Sequence, residues 1–180
     1  MLKALAIAAA VLSVAAISGA VGFFGRIAEI PHEEMMRMRA IMTSIAGVNA
    51  MGYSQAPAPD TQVVRNNPDT RTAFCWFSLA DGPVRVSGPL PETSYWSLSL
   101  YAPDGTNPVV LNDGDFAQSS RFDVIIRSEA MQPPAATSSR SIVFDSREGA
   151  AVLRYFLPSR DQEPEINALR RAARCEPLQP

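Results

Sequence analysis

NNPDTRTAFCWFSLADGPVRVSGPLPETSYWSLSLY, residues 66–101, decides the fold class, because its apolar residues alternate with a period of two. In TAFCWFSL (72–79), Ala73, Cys75, Phe77 and Leu79 share one face while Phe74 and Trp76 share the other. A strand apolar on both faces belongs at the centre of a sheet or under another element. Asp81-Gly82 signals a turn, and VRVSG then puts Val84 and Val86 on one side. In SYWSLSLY, Trp96, Leu98 and Leu100 alternate against Tyr95, Ser97, Ser99 and Tyr101. Asn67-Pro68-Asp69 suits a type I turn, with proline fixing φ at the second position. Gly82-Pro83 and Gly88-Pro89 punctuate the strands that follow.

Working outward from this stretch, further strands are expected in VVLN, FDVIIR, SIVFD and AVLRYFL, with an irregular surface loop at 128–140. About seven short strands with turns between them and no helical crossovers argue for a sandwich or barrel. The expected fold is therefore mainly β: an antiparallel β-sandwich (jelly-roll-like) with an N-terminal transmembrane helix, an amphipathic helix and a short C-terminal helix. The tail SRDQEPEINALRRAAR (159–174) reads as that closing helix. Ser159 and Gln162 have capping-box spacing, Pro164 suits the first turn, and Ile166, Leu169 and Ala173 form one face.

Toward the N-terminus, Ala4 to Gly25 carries no charge and is long enough to cross a bilayer core of about 30 Å as a helix. A cleaved secretory signal is the competing reading, with Lys3 as its basic flank and Ser18-Gly19-Ala20 as a small-residue cleavage site. The apolar run continues past that site through Phe23 and Phe24, which favours a retained anchor. Next, 30–53 reads as an amphipathic helix with Met35, Met38, Met42 and Ile45 on one face, started by Pro31 and stopped by Gly52. The expected organisation is 1–26 anchor or signal, 27–53 amphipathic helix, 54–71 Pro-rich linker and turn, and 72–180 sandwich with closing helix.

The 180 residues suffice for one domain with a real core. A net charge of −2 and the lack of any Lys/Arg block leave no electrostatic case for nucleic acid. Basic residues on both sides of the apolar run blur its orientation; export of the C-terminal domain is the simpler reading. The expected location is then a membrane crossed once, with the domain on its exported side. Cys75 and Cys175 are the only cysteines. A disulfide tying the C-terminal end to the β core and a pair of free thiols both satisfy the sequence.

The stretch from Asn67 to Tyr101 resembles the core motif of the bacterial domain-of-unknown-function family 1254. The likeness rests on the Asn/Pro/Asp/Thr turn, the strand after it, the Gly-Pro turn, Val84-x-Val86 and the aromatic strand. It extends over roughly residues 60 to 160 and is strongest with short, single-domain, membrane-anchored members. The resemblance implies a β-sandwich in the cell envelope and no established activity. It also implies a partner: an envelope protein carrying the second β-sandwich module that longer members hold in the same chain.

Catalytic chemistry is restricted by inventory. His32 is the only histidine and Lys3 the only lysine, both at the membrane end, so neither triad nor Schiff-base catalysis is expected in the domain. No zinc-type ligand set and no phosphate-binding Gly-rich loop is visible, and no metal or cofactor is expected. NDGD (112–115) reads as a turn rather than a calcium loop, and the methionine stripe as packing rather than a copper site. Carboxylates remain: Asp69, Glu92, Asp104, Asp113, Asp115 and Asp123 would have to supply an acid/base pair. No catalytic residue is assigned. The first expectation is a non-enzymatic binding module, and the alternative is a carboxylate-dependent hydrolase acting on an envelope glycan. The expected ligand face is Tyr95, Ser97, Ser99 and Tyr101, where aromatic rings interleave with hydroxyls, together with Asp69.

Overall fold

The computed structural model describes residues 1–53, 67–117, 119–132 and 139–178. Helix α1 runs from Leu2 to Ala46 without a break. Strands β1 (Gly52–Tyr53), β2 (Thr70–Ser78), β3 (Val84–Pro89), β4 (Trp96–Tyr101), β5 (Val109–Asn112), β6 (Arg121–Arg127), β7 (Arg140–Val143) and β8 (Glu148–Phe156) follow. Helix α2 (Glu163–Ala172) and strand β9 (Arg174–Pro177) close the chain.

The strands form two sheets, one of order β1-β2-β8-β4-β5 and one of order β7-β6-β3-β9. Between β2 and β9 the chain passes repeatedly from one sheet to the other, so the mainly-β sandwich expected from the sequence is the architecture observed. All pairings are antiparallel except β6 with β7, which run parallel. Parallel neighbours need a long connection; of the surface loop expected at 128–140 between β6 and β7, residues 133–138 lie outside the described residues.

The seven expected strands are all present; β1 and β9 are additions. Gly52–Tyr53 pairs with Phe74 and Ala73, and so forms a strand where a helix end was expected. Arg174–Pro177 pairs with β3, directly after the tail helix and taking over Arg174, the last residue read as helical. The first is too short to carry a period and the second has a single apolar residue, Cys175, so their partner strands define them. The boundary of the linker also moves, since Thr70 and Arg71 already belong to β2. The Pro-rich part of that linker, 54–62, lies outside the described residues.

Between the sheets the core holds the inward set of each strand. It includes Ala73, Cys75 and Phe77 from β2, Val84 and Val86 from β3, Trp96, Leu98 and Leu100 from β4, and Leu153 and Tyr155 from β8. Trp96 stacks on Phe122 with ring centroids 5.2 Å apart, and Phe77 meets Phe144 edge-on at 5.1 Å. Such contacts add about 0.5–1.5 kcal/mol each beyond burial. Burial pushes the Tyr155 phenol well above its ordinary range, so it stays protonated and donates to the Pro89 carbonyl at 3.0 Å. Ile166, Ala173 and Leu169 seal one edge of this core, as the face read from the tail requires. The Ser159–Gln162 box is not made: Ser159 Oγ donates to Gln162 Oε1 at 3.3 Å and gives no cap to the helix.

A second, smaller core lies on the outer face of the five-stranded sheet. Met42, Phe74, Trp76 and Ala150 are buried there, with Met35, Met36, Met38, Tyr101 and Val152 packed against them. Helix α1 supplies the methionines, so the second apolar face of β2 is explained by a helix lying on it. Two expectations change here. The anchor and the amphipathic segment are one helix, and Pro31 lies inside it rather than at a first turn. Proline removes one main-chain donor, but both flanking segments are helical by pattern and docking on the sheet holds the second. Ile45, expected on the packed face, is 57% exposed and points away from it.

Candidate functional site

The site residues proposed from the sequence all lie on or beside the outer face of the five-stranded sheet. Register defines that face in rows. Ser97 is paired with Arg154 and Asn112, Ser99 with Val152 and Val110, and Tyr101 with Ala150. Strand β8 lies between β4 and β2, so the rows continue as Thr72, Phe74 and Trp76.

At one end the face is closed. The methionines of α1 cover Phe74, Trp76, Ala150 and Tyr101, and Trp76 Nε1 donates to Glu148 Oε2 at 2.9 Å. Arg39 reaches the same carboxylate at 3.2 Å and stands 5.9 Å over the Trp76 ring. The loop after β4 meets the helix too: His32 Nδ1 lies 3.0 Å from the Pro103 carbonyl oxygen. Gly105, at φ 86°, makes this approach, because a Cβ there would stand 3.0 Å from Pro31 Cβ. Tyr101 is thus a packing residue beneath a helix. Ser97 and Ser99 are 6% and 4% exposed, hydroxyls enclosed by the side chains of neighbouring strands.

The other end of the face is open. Tyr95, one residue before β4, is 50% exposed, and Phe156 at the end of β8 is 40% exposed. They are adjacent: the Phe156 amide donates to the Tyr95 carbonyl at 2.8 Å, and Ser94 Oγ donates to the Phe156 carbonyl. Asp69 joins this end through the Leu157 amide, which donates to its carbonyl at 2.7 Å. Of the five residues read as a ligand face, Asp69 and Tyr95 therefore share the open end, Ser97 and Ser99 are buried along the strand, and Tyr101 lies under α1. Phe156 was not among them, because a single aromatic at a strand end carries no pattern.

Asn67–Thr70 forms the expected turn. The Asp69 amide donates to Asn67 Oδ1 at 2.9 Å, and the Thr70 amide to the Asn67 carbonyl at 3.2 Å. Arg71, 8% exposed, braces it from below by donating to the Pro68 and Thr70 carbonyls and, at 2.6 and 2.8 Å, to Glu163 on α2. The hydrogen bond from Arg71 holds the Glu163 carboxyl below its ordinary range, against a smaller opposing effect of burial. A carboxyl whose folded pKa is depressed contributes stability above its unfolded pKa and loses it as pH falls through the folded value. Glu163→Gln is expected to be less stable than the wild type at pH 7, and the gap between the two should narrow as acid protonates the Glu163 carboxyl. Denaturation midpoints of both proteins from pH 7 downward check this; a gap independent of pH counts against the ion pair.

Three of the other candidate carboxylates, Asp104, Asp115 and Asp123, are engaged as structure. Asp104 accepts from the Thr106 hydroxyl and amide, which hold it below the usual range. Asp115 accepts from the Asn112 amide and from Arg140, with the same result. Burial pushes Asp123 up, but its bonds from Arg85 and Ser139 outweigh that and leave it lowered. A general acid at neutral pH needs the opposite shift. NDGD forms a capped 3-10 turn, with the Gly114 amide donating to Asn112 Oδ1 at 2.9 Å. Among the described residues no three His, Cys, Asp or Glu side chains cluster in a way that would hold a metal ion.

Cys75 in β2 and Cys175 in β9 are joined, with an S–S distance of 2.00 Å and Cα atoms 6.4 Å apart. The bond links the two sheets through the core.

The profile of the family described as "Protein of unknown function (DUF1254)" matches residues 48–177. The chain is a DUF1254 protein. The match starts after α1 and takes in both sheets, α2 and the disulfide. The VPA0106 protein from Vibrio parahaemolyticus has a similar structure, with a TM-score of 0.67 at 15% identity over 84% of this chain. An uncharacterized protein from Burkholderia cenocepacia superposes with a TM-score of 0.51 at 13% identity over 82% of the chain. At such identities the likeness shows the fold alone. The aligned DUF1254 chain spans only 36% and 40% of those two proteins. No curated protein matches the sequence.

Proposed function

We propose that this DUF1254 protein is a membrane-anchored, non-enzymatic interaction module of the bacterial envelope, with α1 crossing the inner membrane once and the sandwich in the periplasm. The observation that carries this reading is that one helix has two unlike halves. Its first half is apolar, with none of the spanning window buried in the protein, and its second half is docked on a sandwich closed by a disulfide. A disulfide in the core suits an oxidising compartment. Ser18-Gly19-Ala20 lies within continuous helix, which suits a retained anchor better than a cleaved signal.

The open end of the outer face, with Tyr95, Phe156 and Asp69, is the surface assigned to binding. An amphipathic ring, Tyr95, and an apolar one, Phe156, with the exposed Asp69 in the adjoining turn fit a protein partner. The partner proposed is a separate envelope protein carrying the second sandwich module, in keeping with the greater length of the two structural relatives. The engaged carboxylates give the glycan hydrolase no support.

Protease treatment of cells tests the location, and a photo-crosslinker in place of Tyr95 tests the surface. The domain should resist protease in intact cells and be digested in spheroplasts, while the crosslinker captures one protein in near-equal amount. A domain protected in spheroplasts overturns the periplasmic placement; a crosslinker that captures nothing overturns the binding surface.

A further inference from the structure

Strand β8 is the middle strand of the five-stranded sheet, and Arg154 stands on its outer face. Val152, on the same side of β8, packs against the small core under α1, while Leu153 and Tyr155 point into the main core. Among the described residues, four arginines are not exposed: Arg71, Arg127, Arg154 and Arg170. Arg71 donates to Glu163, Arg127 to Ser141 and the Met131 carbonyl, and Arg170 to the Thr72 carbonyl. Arg154 makes no hydrogen bond or ion pair with any described residue. Its cross-strand neighbour Ser97 is 6% exposed, and the Ser97 hydroxyl also has no hydrogen bond to a described residue.

Two donors are thus set side by side on one face, and one of them carries a full positive charge. A guanidinium presents five N–H groups in a fixed fork and accepts nothing, and partial burial removes some of its water. An arginine at a rim can lay its stem on the sheet and turn its head to solvent. Arg154 instead has strands on both sides of it. The complement of its fork is an anion that offers two oxygens in one plane.

The surroundings choose the anion. One guanidinium balances one negative charge, and the exposed Asp69 lies toward the same end of the sheet. A phosphate group, with about two negative charges, would be left in excess there; a carboxylate is matched. Tyr95 and Phe156 form the next row toward the open end, 50% and 40% exposed. Their rings offer apolar surface beside the charge.

We propose that Arg154 and Ser97 form a carboxylate-binding site, which receives an acidic side chain of the protein partner while apolar neighbours of that side chain pack on Tyr95 and Phe156. The site rests on the partner reading above for the source of its carboxylate.

Arginine modification of the solubilised full chain tests the site. Phenylglyoxal adds to accessible guanidinium groups, and peptide mapping by mass spectrometry reads each arginine. The two probes are the N-acetyl amides of phenylalanyl-glutamate and phenylalanyl-glutamine. The glutamate dipeptide should slow modification of Arg154 several-fold and leave the exposed Arg121 and Arg147 unchanged, and the glutamine dipeptide should do neither. Ser97→Ala should weaken that protection. Equal effects of the two dipeptides at Arg154, or no effect of either, overturn the site. Arg154→Gln should keep the wild-type unfolding midpoint, because no described residue loses a bond; a midpoint as low as that of Arg71→Gln would make Arg154 structural and overturn the site as well.

The crosslinker at Tyr95 tests the source. Arg154→Gln should cut capture of the partner about tenfold, the loss expected for a charged hydrogen bond. Undiminished capture in that variant, with protection intact in the wild type, overturns the assignment to the partner in favour of a free carboxylate. Protection by the glutamate dipeptide with no capture even in the wild type refutes the partner reading and leaves the carboxylate site standing.

Discussion

Replacing Cys75 and Cys175 together by alanine is expected to lower stability by about 4–5 kcal/mol. The two positions are separated by 100 residues, so the bond closes a loop that contains most of the sandwich. Constraint of the unfolded chain grows with the logarithm of loop length, which places a loop of this size near the upper end of the range. Cys75 and Cys175 are 0% and 5% exposed, so reductant has no direct path to the bond in the folded state. The wild type should therefore respond to dithiothreitol only once it begins to unfold, and its midpoint should then fall to that of the double variant. The double variant should ignore reductant altogether. Guanidinium unfolding of the detergent-solubilised chain, with and without dithiothreitol, reads all three values. Equal midpoints for wild type and variant would show that the bond does not form.

Trp76→Ala is the second large effect, about 3–5 kcal/mol for an aromatic removed from a packed site. Trp76 is fully buried between α1 and the sheet, and its ring nitrogen satisfies Glu148. Truncation opens a cavity under the methionines and takes a donor from a carboxylate that Arg39 alone would then hold. The loss is expected to fall on the helix first. Amides of Met35 to Met42 should lose hydrogen-exchange protection well beyond those of β4 and β8. Leu98→Ala, a truncation in the other core, supplies the contrast: about 2–5 kcal/mol lost, with helix docking reduced only by global unfolding. Uniform loss of protection in Trp76→Ala would mean that helix and sandwich unfold as one unit.

How much of this was legible depended on whether a residue's partner was near in sequence. The alternation of Trp96, Leu98 and Leu100 against serines is a local signal, and β4 appears where it points. The double apolar face of β2 announced a covering element without naming it, because the Met35–Met42 stripe that fills the role is remote in sequence and carries no mark of its target. Strand β1 was invisible because two residues have no period, and β9 because Arg174–Pro177 offers one apolar residue, Cys175, among charged neighbours. Pro31 misled because its usual place is a first turn, and only docking reveals why the helix continues through it. The residues read as a ligand face do lie on or beside one sheet, but alternation cannot tell an exposed serine from a buried one. Ser97 and Ser99 are the second kind.

The unbroken course of α1 fixes reach. A flexible leash of about 20 residues would let a domain wander some 25 Å from its attachment point. Here the helix that leaves the apolar span is the one clamped by Trp76 and latched at Pro103, so the domain has no slack. On the proposed anchoring it would hold one height and one tilt, and a partner at Tyr95 and Phe156 would have to arrive at that height already facing the right way. A partner confined to the same bilayer would meet that condition by diffusing in two dimensions, while a freely tumbling one would have to find it by chance.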